Sequence, residues 1–224
     1  MEAALHECKS ACVSVAMRVK TRIKICGITR PEDALSAANA GADAIGLVFY
    51  PPSPRFVSVE RATEVRDALP PFVQTVALFV NATQPEVENV LAHVRPSMLQ
   101  FHGEETPDFC SRFGVPWLKA CRVRPGVDLL EYFRSFPGAA GWLADAFVEG
   151  YGGAGQSFDW SLVPAERERP LVLSGGLTTD NVGEAIRRVR PWAVDVSSGV
   201  ESAKGIKDAA KIAAFIQGVN NADV

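Results

Sequence analysis

The chain has 224 residues, of which 47% are hydrophobic, and its formal net charge at pH 7 is −3. That length suits one domain with a full hydrophobic core, and the slightly acidic balance provides no basic face for nucleic acid. The apolar runs are too short to span a membrane. The five cysteines lack a persuasive metal-site spacing, so we expect reduced thiols in a cytoplasmic protein.

The first twenty residues do not share the pattern of the rest of the chain. They are mixed in composition, and the regular alternation of apolar runs and helical patterns begins only at Arg22. Chain termini are often dispensable. We therefore expect a dispensable extension, residues 1–20, and one catalytic domain, residues 21–224.

Eight apolar runs, each typical of a buried strand, follow in order. They are Ile23–Cys26, Ala44–Phe49, Val73–Val80, Met98–Phe101, Trp117–Val123, Trp142–Ala146, Leu171–Leu173 and Ala193–Val196. Continuous apolar strands that alternate with helices favour a parallel sheet, and eight such units predict a single α/β domain, a closed (β/α)8 or TIM barrel. A doubly wound open sheet is the alternative, but it would need a glycine fingerprint after strand one, which Cys26-Gly27-Ile28-Thr29 lacks.

Glycine-rich turns follow the last three predicted strands. The relevant residues are Gly153 and Gly155 after strand six, Gly175 and Gly176 after strand seven, and Ser198 and Gly199 after strand eight. Glycine lets the backbone approach a ligand, and successive N–H groups can cradle a phosphate. The loops after strands seven and eight are the usual phosphate site of (β/α)8 barrels. Tight turns without a ligand are the alternative for any one of them, but the repetition favours a phosphate site.

Polar side chains collect at the predicted carboxyl ends of the strands, where (β/α)8 barrels place their active sites. They are Cys26, Arg55, His102, Asp145 and Asp195. A thiol and a carboxylate that face a phosphate site indicate acid–base chemistry on a sugar phosphate. Each has a structural alternative when taken singly: a cysteine is usually a small buried hydrophobe, an arginine a surface cation, and a histidine a hydrogen-bonded wall residue.

Seven motifs, taken in this order, resemble the phosphoribosylanthranilate isomerase family of tryptophan biosynthesis. The resemblance covers the chain from Lys24 onward, and other phosphate-binding barrels share only its glycine turns. The motifs are Lys24–Thr29, Gly41–Gly46, Ser53–Phe56, Leu99–Glu104, Gly152–Gly155 with Phe158–Trp160, Leu173–Leu177, and Val194–Glu201.

This resemblance implies an isomerase that converts N-(5-phosphoribosyl)anthranilate to 1-(2-carboxyphenylamino)-1-deoxyribulose 5-phosphate by an Amadori rearrangement. It implies Asp145 as the general acid that opens the ribose ring and Cys26 as the base that removes the C2 proton. Arg55 would bind the anthranilate carboxylate, the glycine turns the phosphate, and His102 and Asp195 would be secondary substrate contacts. No metal or organic cofactor is implied. The only expected partner is this small-molecule substrate, and we expect a monomer or a homodimer.

The two catalytic roles need opposite protonation states. A free thiol has a pKa of roughly 8.5 and is mostly protonated at neutral pH, so we expect the site to lower the pKa of Cys26. Lys24, on the same side of the strand, is the candidate cation. Asp145 must hold a proton, which desolvation or a nearby anion can favour.

Two other functions stay open. The related isomerase of histidine biosynthesis performs the same chemistry with two aspartates, and Cys26 at the end of strand one argues against it. The other possibility is a barrel that binds a phosphorylated ligand without catalysis. The presence of both Cys26 and Asp145 argues against that possibility.

Overall fold

The apolar runs form the eight parallel strands of a closed barrel, arranged around it in chain order. The computed structural model describes residues 20–146 and 158–222. The barrel strands are β1 (Arg22–Cys26), β2 (Ala44–Val48), β3 (Gln74–Phe79), β4 (Met98–Phe101), β5 (Trp117–Val123), β6 (Gly141–Ala146), β7 (Leu171–Leu173) and β8 (Ala193–Val196). The predicted (β/α)8 barrel is confirmed.

Seven α-helices lie among the described residues. They are α1 (Pro31–Ala40), α2 (Val59–Asp67), α3 (Gln84–His93), α4 (Pro107–Cys110), α5 (Leu129–Arg134), α6 (Val182–Val189) and α7 (Ala209–Ala222). Short-range capping explains where several begin. Pro31 starts α1, the Ser58 hydroxyl accepts from the N–H of Arg61 at the start of α2, and Thr83 and Glu86 form a capping box before α3. None of the described helices is long and apolar enough to cross a membrane.

Strand side chains alternate between an outer and an inner face of the barrel. In β1, Ile23 and Ile25 belong to the large apolar core, which also contains buried side chains of the helices. Lys24 and Cys26 lie on the opposite, inner face, where Cys26 packs with apolar residues of β2 and β3. The same alternation therefore builds the hydrophobic core and delivers polar groups to the barrel interior.

Two features interrupt the regular alternation of strand and helix. After β6, the described residues contain a 3-10 helix at Trp160–Leu162 before β7 begins. After β8, a two-stranded antiparallel hairpin, β9 (Glu201–Ala203) and β10 (Ile206–Lys207), precedes α7. This hairpin was not predicted, because three-residue and two-residue strands carry no periodic signal.

Candidate active site

The polar residues predicted for the site meet at one end of the barrel. Cys26 ends β1, Asp145 is next to last in β6, and Asp195 lies in β8. His102 follows β4 directly. Because the strands are parallel and in register around a closed barrel, their carboxyl ends share one rim. The direction of the strands therefore accounts for the common location of these side chains.

A buried ion pair lies beside the thiol of Cys26. The ammonium group of Lys24 donates a hydrogen bond to Oδ2 of Asp195 at 3.0 Å, and both side chains are almost fully buried. Burial alone would lower the pKa of Lys24, but the charge of Asp195 and smaller contributions from Cys26 raise it to about 12. Lys24 therefore stays protonated at neutral pH and is a cation beside the thiol of Cys26.

Burial has the opposite consequence for the thiol. It raises the pKa of Cys26; the Lys24 cation and its hydrogen bond lower that pKa, and the charge of Asp195 raises it again. The net pKa is above the ordinary value. Lys24 was correctly predicted as the neighbouring cation, but the expectation of a lowered thiol pKa is wrong for this structure, because desolvation of a buried thiolate outweighs one cation that is shared with a carboxylate.

Gly46 provides the space that the thiol occupies. It is the register partner of Cys26 in the β1–β2 pair. A Cβ atom at this position would lie 2.6 Å from Sγ of Cys26 and 3.1 Å from Cε of Lys24. Sequence reasoning missed this role, although a glycine inside an apolar strand is a signal of close approach.

Asp195 keeps one carboxylate oxygen unused. Its Oδ1 atom is buried and has no hydrogen-bond partner among the described residues, whereas Oδ2 binds Lys24. Buried polar atoms are normally hydrogen-bonded, so an unpaired acceptor at the rim of the barrel is suited to a donor from a ligand.

His102 contacts the proposed general acid. Its Nε2 atom lies 3.0 Å from Oδ2 of Asp145, and its Nδ1 atom lies 3.1 Å from the side-chain nitrogen of Gln100. The Asp145 side chain is 25% exposed, so it is accessible from the mouth of the barrel. His102 is thus placed to orient Asp145, a contact that was not predicted.

Arg55 is held by a partner far away in the chain. Its Nε and Nη2 atoms donate to the two carboxylate oxygens of Glu201 at 2.7 and 2.8 Å, and Lys207 donates to the same carboxylate at 2.8 Å. Burial alone would raise the pKa of Glu201, but hydrogen bonds from Arg55 and Lys207 lower it below its ordinary value. Arg55 is buried, so it is not a surface cation. These bonds use one edge of the guanidinium group, and the Nη1 edge lies outside them.

The glycine turns after the last strands contact one another. Gly175 and Gly176 both have positive φ, 86° and 63°. A Cβ atom on Gly199 would collide with the carbonyl oxygen of Leu177, and one on Gly175 would collide with the backbone of Ala146. Ser198 begins a short 3-10 helix after β8. The turns after β7 and β8 are therefore adjacent, and the last residue of β6 lies against the first of them. Gly153 and Gly155 lie outside the described residues.

The described ranges contain no group of three or more His, Cys, Asp or Glu side chains that could hold a metal ion. What the arrangement does offer is a thiol, a carboxyl group and hydrogen-bonding backbone at one rim. Such a set can move protons on a bound anionic ligand.

Comparison with known proteins gives a consistent result. The family model described as N-(5'phosphoribosyl)anthranilate (PRA) isomerase matches residues 23–218. The N-(5'-phosphoribosyl)anthranilate isomerase of Dechloromonas aromatica is 61% identical over 206 residues, which cover 92% of this chain and 99% of that protein.

Solved structures agree with the sequence comparison. The phosphoribosyl anthranilate isomerase of Thermotoga maritima superposes with a TM-score of 0.83 at 43% identity, covering 90% of this chain and 99% of that one. A phosphoribosyl anthranilate isomerase in complex with reduced 1-(o-carboxyphenylamino)-1-deoxyribulose 5-phosphate superposes with a TM-score of 0.79 at 42% identity, covering 90% and 99%. The chain belongs to the N-(5'-phosphoribosyl)anthranilate isomerase family.

Proposed function

We propose that Cys26 and Asp145 carry out the Amadori rearrangement of N-(5'-phosphoribosyl)anthranilate in this barrel. The isomerase activity, in tryptophan biosynthesis, is that of the family to which the chain belongs. The assignment of residues is our inference. It depends on one observation above all: a thiol and a partly exposed carboxyl group share the barrel rim with the paired glycine turns.

Asp145 begins the reaction as the general acid. It gives its proton to the ring oxygen of the ribose, the bond between that oxygen and C1 breaks, and the anthranilate nitrogen forms an iminium with C1. The carboxyl group of Asp145 is exposed enough to contact a ligand, and His102 contacts its Oδ2 atom. General acid catalysis by a positioned group contributes about 10²–10⁴-fold.

Cys26 completes the reaction as the base. Its thiolate removes the proton from C2 of the iminium, which gives an enolamine. The enolamine becomes the ketone product when its C2 hydroxyl loses a proton and C1 gains one. Since burial raises the pKa of this thiol, only a small thiolate fraction is present in the free protein at neutral pH. Lys24, which stabilises the thiolate, is then essential to keep that fraction usable.

The remaining residues bind the substrate. The Nη1 edge of Arg55, which lies outside its bonds with Glu201, binds the anthranilate carboxylate, and Glu201 holds the guanidinium in a fixed plane. The free Oδ1 of Asp195 accepts a hydrogen bond from a ribose hydroxyl. The turns at Gly175–Gly176 and Ser198–Gly199 bind the phosphate through their backbone N–H groups.

Incubation of the purified chain with N-(5'-phosphoribosyl)anthranilate tests this function. Substrate loss and product formation, followed by liquid chromatography, should far exceed the decay in buffer. Turnover of only the histidine-pathway aminoaldose phosphate would support the isomerase of that pathway instead. Binding of the phosphorylated product without turnover would support a non-catalytic barrel.

The remaining expectations stay predictions. Residues 1–19 lie outside the described residues, and removal of residues 1–16 should leave activity and thermal unfolding unchanged. A monomer or a homodimer should be found by light scattering, and a cytoplasmic location by cell fractionation.

A further inference from the structure

Gln100 is a buried polar side chain, and the proposed mechanism has not used it. It lies in β4 between Leu99 and Phe101 and is completely buried. Its side-chain nitrogen is 3.1 Å from Nδ1 of His102, but its Oε1 atom is buried without a hydrogen-bond partner among the described residues. A buried acceptor without a partner is destabilising. The hydrogen bond that its N–H makes to His102 therefore explains the presence of Gln100 better than a contribution to stability does.

The bond from Gln100 has a definite consequence for the imidazole. A neutral histidine has one protonated and one unprotonated ring nitrogen. If the amide N–H donates to Nδ1, that atom must be unprotonated, and the proton must reside on Nε2. Nε2 is the atom that lies 3.0 Å from Oδ2 of Asp145.

We propose that Gln100 is a positioning residue, which holds His102 in its neutral Nε2–H form and so directs an N–H group at the carboxyl group of Asp145. The proposal rests on the proposed role of Asp145 as general acid. With Oδ2 accepting from His102, the acidic proton resides on Oδ1, which is left for the ring oxygen of the substrate. When that proton has been transferred, the same N–H faces a carboxylate, and a charge-assisted bond is stronger than a neutral one. The contact therefore favours the transition state over the ground state.

The alternative states of His102 would work against this reaction. An imidazolium would stabilise the Asp145 carboxylate before proton transfer and so remove the acidic proton. The Nδ1–H form would direct a lone pair at the carboxylate produced by the transfer. An amide oxygen turned toward Nδ1 would favour the imidazolium and the Nδ1–H form. The amide N–H of Gln100 disfavours both of these forms, because it needs an unprotonated Nδ1.

Other charged and titratable groups surround this pair. Arg122 of β5 is the register neighbour of Asp145, and Glu104, Arg124 and Tyr132 line a pocket with His102. The barrel interior also contains Lys24 and Cys26 of β1 and Asp195 of β8. The hydrogen bonds of the imidazole among the described residues are those with Gln100 and Asp145.

The chain is well suited to a direct test because it has only three histidines, His6, His93 and His102. Nitrogen-15 labelling of histidine and NMR distinguish the two neutral tautomers and the imidazolium. The His102 signals are identified by their loss in His102→Asn, and His93, exposed on α3, is the internal reference. In the wild-type chain at neutral pH, His102 should be protonated at Nε2 and unprotonated at Nδ1.

Two substitutions separate the bond from the shape of the side chain. Gln100→Met keeps the length but removes the donor. His102 should then populate the Nδ1–H form or the imidazolium, and kcat should fall about five- to tenfold, the scale of one hydrogen bond, with KM nearly unchanged. Gln100→Glu places an acceptor against Nδ1 and should favour the imidazolium, with a fall in kcat of about a hundredfold. His93 signals should not change in either variant.

Several results would overturn the proposal. One is a wild-type His102 in the Nδ1–H or imidazolium form at neutral pH, a measurement that needs no variant to fold. Another is a folded Gln100→Met chain with the wild-type tautomer and the wild-type kcat. Failure of the proposed function would look different: Asp145→Asn would retain full activity even if His102 had the expected tautomer.

Discussion

Gly46 offers a way to displace the thiol of Cys26 without changing it. Alanine at this position adds one methyl group to the inner face of β2, and its carbon would lie 2.6 Å from Sγ of Cys26. Non-bonded carbon contacts are comfortable at about 3.5–4.0 Å, so the sulfur must move by about 1 Å. Because the Cα atom of Cys26 would be only 3.1 Å away, the backbone of β1 limits how the strain can be relieved.

The two expected effects of Gly46→Ala have different sizes. Overpacking of this kind lowers the free energy of unfolding by about 1–3 kcal/mol, which denaturant titration would measure. A displacement of about 1 Å between a catalytic group and its substrate costs about a hundredfold in rate. We therefore expect kcat to fall by about that factor, with KM nearly unchanged because the phosphate and carboxylate contacts lie elsewhere.

Gly183→Ala is the matched control. Gly183 lies within α6, and its new methyl group would meet the flexible end of Arg187 at 3.4 Å. Alanine is favoured over glycine inside a helix by about 0.5–1 kcal/mol, so the control should be slightly more stable and fully active. A folded Gly46→Ala chain with wild-type kcat would refute the idea that Gly46 makes room for a catalytic thiol.

Two further substitutions test the charged groups around the site. Lys24→Met removes the cation that lowers the thiol pKa, so the pH midpoint for alkylation of Cys26, followed by mass spectrometry, should rise. The same substitution leaves Asp195 without its ion-pair partner, which should lower the free energy of unfolding by about 3–5 kcal/mol. An unchanged alkylation midpoint would exclude Lys24 as the stabilising cation. Glu201→Gln should raise KM for the substrate several-fold, because Arg55 loses its charged partner. The pKa of Glu201 is lowered in the folded state, so its stabilising contribution is present above its unfolded value of about 4.3 and is lost as the pH falls through the folded pKa. The difference in the free energy of unfolding between wild type and Glu201→Gln should accordingly shrink as the pH is lowered. A constant difference from pH 7 to pH 3 would contradict this role of the Glu201 carboxylate.

The barrel was predictable because each strand is a short apolar run that alternates with a helix. The rim location of Cys26, Asp145 and Asp195 then follows from the direction of parallel strands. The glycine turns were also recognisable, because Gly175–Gly176 and Ser198–Gly199 come directly after two consecutive apolar strands.

The partners of those residues were less predictable. Lys24 and Asp195 are 171 residues apart, and Arg55 and Glu201 are 146 apart, so the pairs exist only because the barrel closes and the β9–β10 hairpin folds back. The direction of the thiol pKa shift was mispredicted for a related reason. A neighbouring lysine can be read from the sequence, but the extent of burial that outweighs it depends on the complete fold.

The central claim is that Asp145 and Cys26 are the acid and base of this isomerase. The most direct measurement is kcat and KM for N-(5'-phosphoribosyl)anthranilate with wild type, Asp145→Asn and Cys26→Ser. Each substitution keeps size and shape but removes the proton donor or the usable base. We expect each to lower kcat by about a hundredfold or more, with KM nearly unchanged. Folded variants that both retain wild-type kcat would contradict the claim.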